Sequence, residues 1–272
     1  EVIVRLTPLA PSVKTMLATF PTVAGATESV SAILSAGVLP AALELIDNLC
    51  IQAVEAHLKA GFPTEAAAIL LIELDGEESE IANESAPVEK ACRQNGATDF
   101  RVAQGEDERQ QLWRGRKHAV GSLGKLSPAF YTNDGVVPRS KLTTILSEIY
   151  RIGSKHSLRV ANVCHAGDGS MHPLVLFDPT TADGAARAME CSEEILLACL
   201  EIGGSITGEH GVGVEKRHMM NRMFSARDLE HMARLRTAFN PHDLLNPGKV
   251  LPGGATRGEV KAGVSIPGGS WI

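Results

Sequence analysis

Apolar and polar positions follow two different periods along the first two thirds of the chain. Residues 13–20 and 65–74 are dense in apolar side chains, as strands are, whereas apolar residues recur at helical spacing over residues 22–36. Glycine, Asn or Asp closes most of these segments. The pattern predicts further strands at 39–47, 99–103, 159–164 and 173–178, and further helices at 48–60, 77–95, 106–119, 182–202 and 226–239.

The order of these elements is typical of repeated ferredoxin-like units. In such units helices cover one face of a largely antiparallel sheet. We therefore predict an α+β fold over residues 13–205, followed by a mainly helical C-terminal segment over residues 206–252. Glycine and proline are frequent after Pro252, so residues 253–272 are predicted to form a flexible tail.

Composition narrows the class of protein. The chain has 272 residues, of which 44% are hydrophobic, so it can bury a sizeable core. A net charge of -6 and the lack of a basic cluster argue against a nucleic-acid partner. The chain has no apolar run long enough to span a bilayer and no secretory signal at its start, so we expect a cytoplasmic protein. Five scattered cysteines without a Cys-x-x-Cys pair favour a reducing compartment and no iron–sulfur cluster in this chain.

Two glycine-rich turns carry the candidate chemistry. His165 and His172 bracket the first turn, between two predicted strands, and Glu209 and His210 lie in the second. A tight turn at the glycines would bring both histidines to one point, and Glu209 is the natural third ligand. Imidazole and carboxylate groups suit zinc, manganese or iron, and three protein ligands leave positions open for a substrate. The sequence therefore predicts a catalytic divalent-metal site.

Other interpretations stay open at this point. A single histidine at a strand end is more often structural than a ligand, and Cys164, beside His165, is better explained as a small buried apolar residue. A metal-dependent hydrolase would use the same ligands to activate water. A non-catalytic assembly domain would instead use exposed faces to join subunits, including copies of itself in a homo-oligomer.

Five segments, in the same order, resemble the C-terminal half of FAD-linked oxidases, in the branch that oxidises small D-2-hydroxyacids. The resemblance extends from about Val13 to Leu251. It implies an FAD-dependent oxidoreductase that converts glycolate to glyoxylate, or oxidises D-lactate. The segments that carry it are Leu112 to Lys117, Tyr131 to Arg139, His165 to Pro173, Gly208 to Gly213 and Leu245 to Lys249.

The resemblance also implies roles for individual residues. His165, His172 and Glu209 match the metal ligands of the hydroxyacid dehydrogenase branch, in agreement with the ligand set above. His210 matches the base that takes the hydroxyl proton while the α-hydrogen leaves as hydride to the flavin. Arg116 matches the guanidinium that binds the substrate carboxylate, a role suited to its planar pair of donors.

Further positions bear on the cofactor and the substrate. Asn246 and Lys249 lie in the motif that returns toward the flavin in this family, so we expect them to contact FAD. Position 170 is Ser where the family usually has Asn, which would loosen the histidine turn without removing a ligand. The 2-hydroxyglutarate branch has threonine and lysine near Val120 and Thr132. Their absence favours a small monoacid over a dicarboxylate.

The resemblance finally implies a larger assembly. Related enzymes carry an N-terminal FAD-binding domain, so we expect residues 1–12 to be a linker from that domain. Residues 206–252 are expected to return toward it. The chain by itself should then be inactive, because the flavin carries the redox chemistry. The expected partners are an iron–sulfur electron-transfer subunit and a second flavoprotein-like subunit, which would hold the protein at the inner face of the inner membrane.

Overall fold

A computed structural model describes residues 2–6 and 8–252 of the chain, which divides into two compact units, Glu1–Gly208 and Glu209–Ile272. The strands of the described part are β1 (Ser12–Phe20), β2 (Ala42–Asp47), β3 (Ala68–Gly76), β4 (Asp99–Val102), β5 (Ala129–Thr132), β6 (Gly135–Val136), β7 (Arg159–His165) and β8 (Ser170–Phe177). Its helices are α1 (Val23–Ser35), α2 (Asn48–Leu58), α3 (Glu78–Gln94), α4 (Glu106–Lys117), α5 (Ala119–Ser122), α6 (Leu142–Lys155), α7 (Gly184–Glu201), α8 (Met220–Met223) and α9 (Ala226–Phe239).

The strands of the first unit form one antiparallel sheet in the order β4-β1-β3-β2-β7-β8-β5, with β6 also paired to β8. The segment β4-β1-β3-β2 has the strand order of a ferredoxin-like unit. The other half of the sheet repeats that order. There β7 pairs with β8, β8 pairs with β5 and β6, and an isolated bridge from Val136 to Ser205 takes the place of the fourth strand. The predicted α+β fold of repeated ferredoxin-like units is confirmed. Both ferredoxin-like halves lie within the first compact unit, and they join where β2 pairs with β7.

Helices cover both faces of this sheet. Side chains alternate between the faces along each strand, so Leu45 and Cys164 point to one face and Ile46 and Val163 to the other. Helices α1, α3, α6 and α7 bury the first face, and α2, α4 and α5 bury the second. The expectation that helices cover only one face was therefore wrong. The reason is that the central strands carry apolar side chains on both sides.

Most element boundaries lie within a few residues of the predicted ones. Strand β2 begins at Ala42 rather than 39, where Pro40 has no amide hydrogen for a ladder bond. Strand β3 begins at Ala68 rather than 65. Strands β5 and β6 and helix α6 lie outside the predictions. The signal for α6 was present, since its buried side chains recur at helical spacing, as Leu142, Ile145, Leu146, Ile149 and Ile152.

In the described residues of the second unit, helices α8 and α9 and a 3-10 turn at Arg217–Met219 account for a little under half of the positions, and the rest is irregular. Helix α9 begins with a capping box, in which Ser225 and Asp228 bond each other's backbone amides. The chain then returns to the start of the unit, where the Val250 amide donates to the Gly213 carbonyl. The predicted tail at 253–272 lies outside the described residues. None of the helices in the described part of the chain combines the length and apolar character needed to cross a bilayer.

Candidate functional site

The two predicted histidines lie in strands rather than in the loop between them. His165 is the last residue of β7 and His172 is the third residue of β8. The strands therefore extend further than predicted, and the turn between them is shorter. Gly169 makes this short turn possible, because its φ is +88° and a Cβ there would lie 2.2 Å from the Val137 carbonyl oxygen.

The register of β7 against β8 brings the two imidazoles together. His165 pairs with Ser170, and Val163 pairs with His172, so the histidines are diagonal neighbours on one face. Their ring centroids lie 5.2 Å apart at an interplanar angle of 86°. A ring nitrogen of each lies within 4.8 Å of the other. Two of the three predicted metal ligands thus meet inside the first unit.

Glu44 lies between His165 and Arg116, and the sequence analysis did not single it out. It pairs with His165 across β2 and β7, and its Oε1 lies 2.8 Å from His165 Nδ1. Its other oxygen accepts hydrogen bonds from Arg116, at 2.6 Å from Nη2 and 2.9 Å from Nε. The Glu44 and Arg116 side chains are 9% and 12% exposed, so this is a nearly buried ion pair. A signal was present in the sequence, because Glu44 interrupts the apolar residues from Ala42 to Ile46.

Helix α4 holds Arg116 in place through a second glutamate. Arg109 and Trp113, on the same face of the helix as Arg116, donate to Glu73 on β3 at 3.0 and 2.6 Å. Burial alone would raise the pKa of Glu73, but hydrogen bonds from Arg109, Thr15 and Trp113 outweigh it and hold the pKa below its ordinary value. The buried Glu44 and the partly buried Glu73 therefore fix one face of α4 against the sheet.

Asp134 adds a buried carboxylate beside His172, which sequence reasoning did not single out. One of its oxygens lies within 4.8 Å of a His172 nitrogen. The carboxylate accepts from the Thr207 hydroxyl at 2.6 Å and from the Gly208 amide at 2.9 Å. A Cβ on Gly208 would lie 2.5 Å from a Val136 methyl, so only glycine fits here. The chain is thus anchored at Gly208, which directly precedes Glu209 in sequence.

The remaining predicted residues belong to the second unit. Glu209 and His210 lie in an irregular segment, with their side chains 55% and 48% exposed and Glu209 Oε1 at 3.9 Å from His210 Nε2. Asn246 has a φ of +46°, and its side-chain oxygen accepts a hydrogen bond from Lys249 Nζ at 3.2 Å. The ligand role of Glu209, the base role of His210 and the flavin contacts of Asn246 and Lys249 remain predictions.

On the opposite face of the sheet, a buried polar cluster surrounds Asp47. Its carboxylate caps α2 by accepting from the Cys50 amide, and it also accepts from the Tyr150 hydroxyl and from the amide and side chain of Asn162. Burial raises the pKa of Asp47 to about 6 in spite of these hydrogen bonds. Burial also raises the pKa of the Cys164 thiol, and the prediction that Cys164 is a small buried residue is confirmed.

Val120 and Thr132, the positions used to infer substrate size, both lie in the first unit. Val120 is partly buried in the core of the second sheet face. Thr132 ends β5 and pairs with Leu174, which is two residues from His172 on the same face. Thr132 is therefore on the histidine side of the sheet. Neither side chain carries a charge that could bind a second substrate carboxylate.

The family assignment rests on a match over nearly the whole chain. Residues 9–250 match the family model described as FAD linked oxidases, C-terminal domain. The chain belongs to this family. The resemblance inferred from the sequence motifs is thereby confirmed, and the family links the chain to the cofactor FAD.

Individual relatives agree with this family. The chain is 45% identical over 252 residues to the glycolate oxidase subunit GlcD of Escherichia coli K12, covering 93% of this chain and 50% of the relative. It is 35% identical to the glycolate oxidase subunit GlcD of Bacillus subtilis 168, covering 92% and 53%. The chain thus spans about half the length of these relatives. A crystal structure of p-cresol methylhydroxylase with bound substrate shares the fold, with a TM-score of 0.69 and 15% identity over 89% of this chain and 53% of that one.

Proposed function

We propose that the chain is the substrate-binding half of an FAD-dependent 2-hydroxyacid oxidoreductase that oxidises glycolate to glyoxylate. The observation that carries the proposal is the group formed by His165, His172 and Arg116. Two imidazoles and a guanidinium converge on one sheet face in a chain that resembles glycolate oxidase subunits. Such a group matches the hydroxyl and carboxylate of a small 2-hydroxyacid.

The donor set fits a divalent metal. Imidazole nitrogens of His165 and His172 approach within 4.8 Å, and neutral imidazole is a good ligand for zinc, manganese or iron. Glu209, next in the chain after the anchored Gly208, is the proposed third ligand. A bound ion would polarise the substrate hydroxyl as a Lewis acid. His210, the proposed base, would accept the hydroxyl proton.

Arg116 retains donors for a substrate carboxylate although it is paired with Glu44. Its Nε and Nη2 face Glu44, and within the described residues no hydrogen bond or ion pair engages Nη1. The end of the guanidinium thus keeps N–H groups with the geometry to bind a second carboxylate. FAD, when bound, supplies the acceptor for the α-hydrogen as hydride.

The wider assembly is also part of the proposal. We propose that FAD is held mainly by a further domain and that residues 206–252 return toward it, with Asn246 and Lys249 as flavin contacts. Exposed apolar side chains on the second unit support such a contact, because Leu235, Phe239 and Leu244 are 63%, 79% and 78% exposed. Electrons would leave through an iron–sulfur subunit and a second flavoprotein-like subunit, in the cytoplasm at the inner face of the inner membrane.

Elemental analysis of the chain, after loading with Zn²⁺ and desalting, tests the metal site. We expect about one equivalent of zinc in the wild-type chain and its loss in the His165→Ala, His172→Ala double variant. A His118→Ala, His156→Ala double variant is the matched control, because these histidines bond the Arg114 carbonyl and Glu194 instead. Equal zinc in all three proteins would refute the ligand assignment.

Calorimetric titration with glycolate tests the substrate class. We expect the zinc-loaded chain to bind glycolate and to discriminate against D-2-hydroxyglutarate, since no charge at Val120 or Thr132 is available for its second carboxylate. Arg116→Lys should weaken glycolate binding by about tenfold, because lysine lacks the planar pair of donors. Stronger binding of 2-hydroxyglutarate than of glycolate would contradict the substrate assignment.

A further inference from the structure

Glu44 stands between the metal-ligand histidine and the substrate arginine, and it bonds both. Its Oε1 lies 2.8 Å from His165 Nδ1, and its Oε2 lies 2.6 Å from Arg116 Nη2. We propose that Glu44 is a positioning residue, which sets the tautomer of His165 and the orientation of Arg116 at the same time. Neither the comparisons nor the sequence motifs assign it a role.

The proton position follows from the chemistry of the two groups. An ionised carboxylate only accepts hydrogen bonds, so at 2.8 Å His165 Nδ1 must carry the hydrogen. Arg116 Nη2 lies 3.5 Å from the same nitrogen. Both nitrogens are then donors, so this approach is a contact and not a hydrogen bond. In the neutral imidazole the lone pair is left on Nε2, which is the form a metal ligand requires.

The carboxylate couples the two partners because each takes a different oxygen. Glu44 is held by the β2–β7 ladder opposite His165, and Arg116 is held by α4. Rotation of the carboxylate toward one partner would move its other oxygen away from the second. Glu44 therefore sets the spacing between the imidazole that would bind the metal and the guanidinium that would bind the substrate. This consequence for metal binding rests on the proposed function, whereas the tautomer does not.

A simpler role for Glu44 would be to anchor α4 to the sheet. Glu73 does this for the same helix, through Arg109 and Trp113, and its described contacts do not include a histidine. The two glutamates are thus a natural pair for comparison. If Glu44 is only an anchor for α4, removing the charge of Glu44 or of Glu73 should affect the His165 imidazole in the same way.

Glu44→Gln separates the two roles. A glutamine side chain has one accepting oxygen, and the charged Arg116 should take it, which turns the amide nitrogen toward His165. The imidazole must then accept at Nδ1, so the hydrogen moves to Nε2. We expect inversion of the His165 tautomer in Glu44→Gln and no change in Glu73→Gln. Adding Arg116→Met to Glu44→Gln should restore the original tautomer, because the amide oxygen is free to face His165 again.

The measurement is ¹⁵N nuclear magnetic resonance of the imidazoles in the complete, metal-free 272-residue chain, at mildly alkaline pH. The His165 signals are assigned by their loss in His165→Asn. Zn²⁺ affinity, measured by competition with a chelator, is the second readout. We expect Glu44→Gln to lower that affinity by about 10- to 100-fold, as loss of an outer carboxylate partner does, and Glu73→Gln to leave it nearly unchanged.

The outcomes are distinguishable. A wild-type His165 with hydrogen on Nε2, or an unchanged tautomer in Glu44→Gln, would overturn the positioning role. The same spectral change in Glu73→Gln would show that Glu44 only anchors α4, and it would also overturn the positioning role. A wild-type chain with hydrogen on Nδ1 that binds no Zn²⁺ would support the positioning of His165 and refute the proposed metal site.

Discussion

Asp47 offers the sharpest test of the energetics of this fold. Its carboxylate caps α2 and accepts three further hydrogen bonds, from the Tyr150 hydroxyl at 3.0 Å, the Asn162 amide at 2.8 Å and the Asn162 side chain at 3.2 Å. The perturbation is Asp47→Ala. The matched control is Thr22→Ala. Thr22 is exposed, and its side chain caps α1 by accepting a hydrogen bond from the Gly25 amide alone.

The magnitude follows from these contacts. Loss of a helix cap costs about 1 kcal/mol, and each buried donor left without an acceptor costs about 1 to 3 kcal/mol. The raised pKa of Asp47, about 6 against an ordinary 3.8, shows that burying the charge opposes folding by about 3 kcal/mol at neutral pH, which the variant avoids. We therefore expect Asp47→Ala to lower the free energy of unfolding by about 4 kcal/mol and Thr22→Ala by about 1 kcal/mol.

Urea unfolding followed by circular dichroism measures both losses. The pH dependence has a definite sign, because the folded wild type binds a proton on Asp47 near pH 5 that the unfolded chain does not. The stability that comes from this proton is present below the unfolded pKa and is lost as pH rises through about 6. From pH 7 to 5 the advantage of wild type over Asp47→Ala should therefore grow by about 1 kcal/mol. Equal losses in the two variants, or an advantage that shrinks on acidification, would refute the reasoning.

Three further predictions concern packing and thiol chemistry. Gly115→Ala places a Cβ 2.6 Å from the Phe62 ring and should lower the free energy of unfolding in urea by about 1 to 3 kcal/mol. A Cβ at Gly121 meets nothing within 4 Å, so Gly121→Ala should change that free energy little, and equal effects would contradict the close approach of α4. Leu70→Ala leaves a cavity at a fully buried position and should lower the free energy of unfolding by about 2 to 5 kcal/mol. Leu39 is 75% exposed, so Leu39→Ala should lower it by less than about 0.5 kcal/mol. Equal shifts of the thermal unfolding midpoint in the two variants would contradict the position of Leu70 in the core. All five cysteines are buried, and burial raises the pKa of the Cys92 thiol to about 12, so a thiol reagent should label the chain in urea only; rapid labelling of the folded chain would disprove the burial.

Sequence periodicity was sufficient for the fold class and for most of the elements. The strand at β1 and the helices α1 and α3 were predicted to within about two residues, because their apolar spacing and their capping residues are local signals. The coverage of both sheet faces was not predicted. Helices cover the second face only if the central strands are apolar on that face too. Residues 69–72 form a continuous apolar run, but such a run indicates a strand buried on both faces only once the strand is known to lie in the middle of the sheet.

The candidate site divides in the same way. His165 and His172 were found from the sequence because a short glycine turn forces them together. Glu44 was not, since it meets His165 from 121 positions away and Arg116 from 72 positions away. Asp47 and Asn162, 115 positions apart, are a second example.

By itself, the sequence determined the alternation of strands and helices, the family and the local motif of two histidines. The tertiary structure decided which glutamate lies within hydrogen-bond distance of His165, which carboxylate pairs with Arg116 and which donors surround Asp47. The physical reason is range. Backbone periodicity and turn geometry act over a few neighbouring residues, whereas the register of β2 against β7 is chosen by packing across the whole sheet.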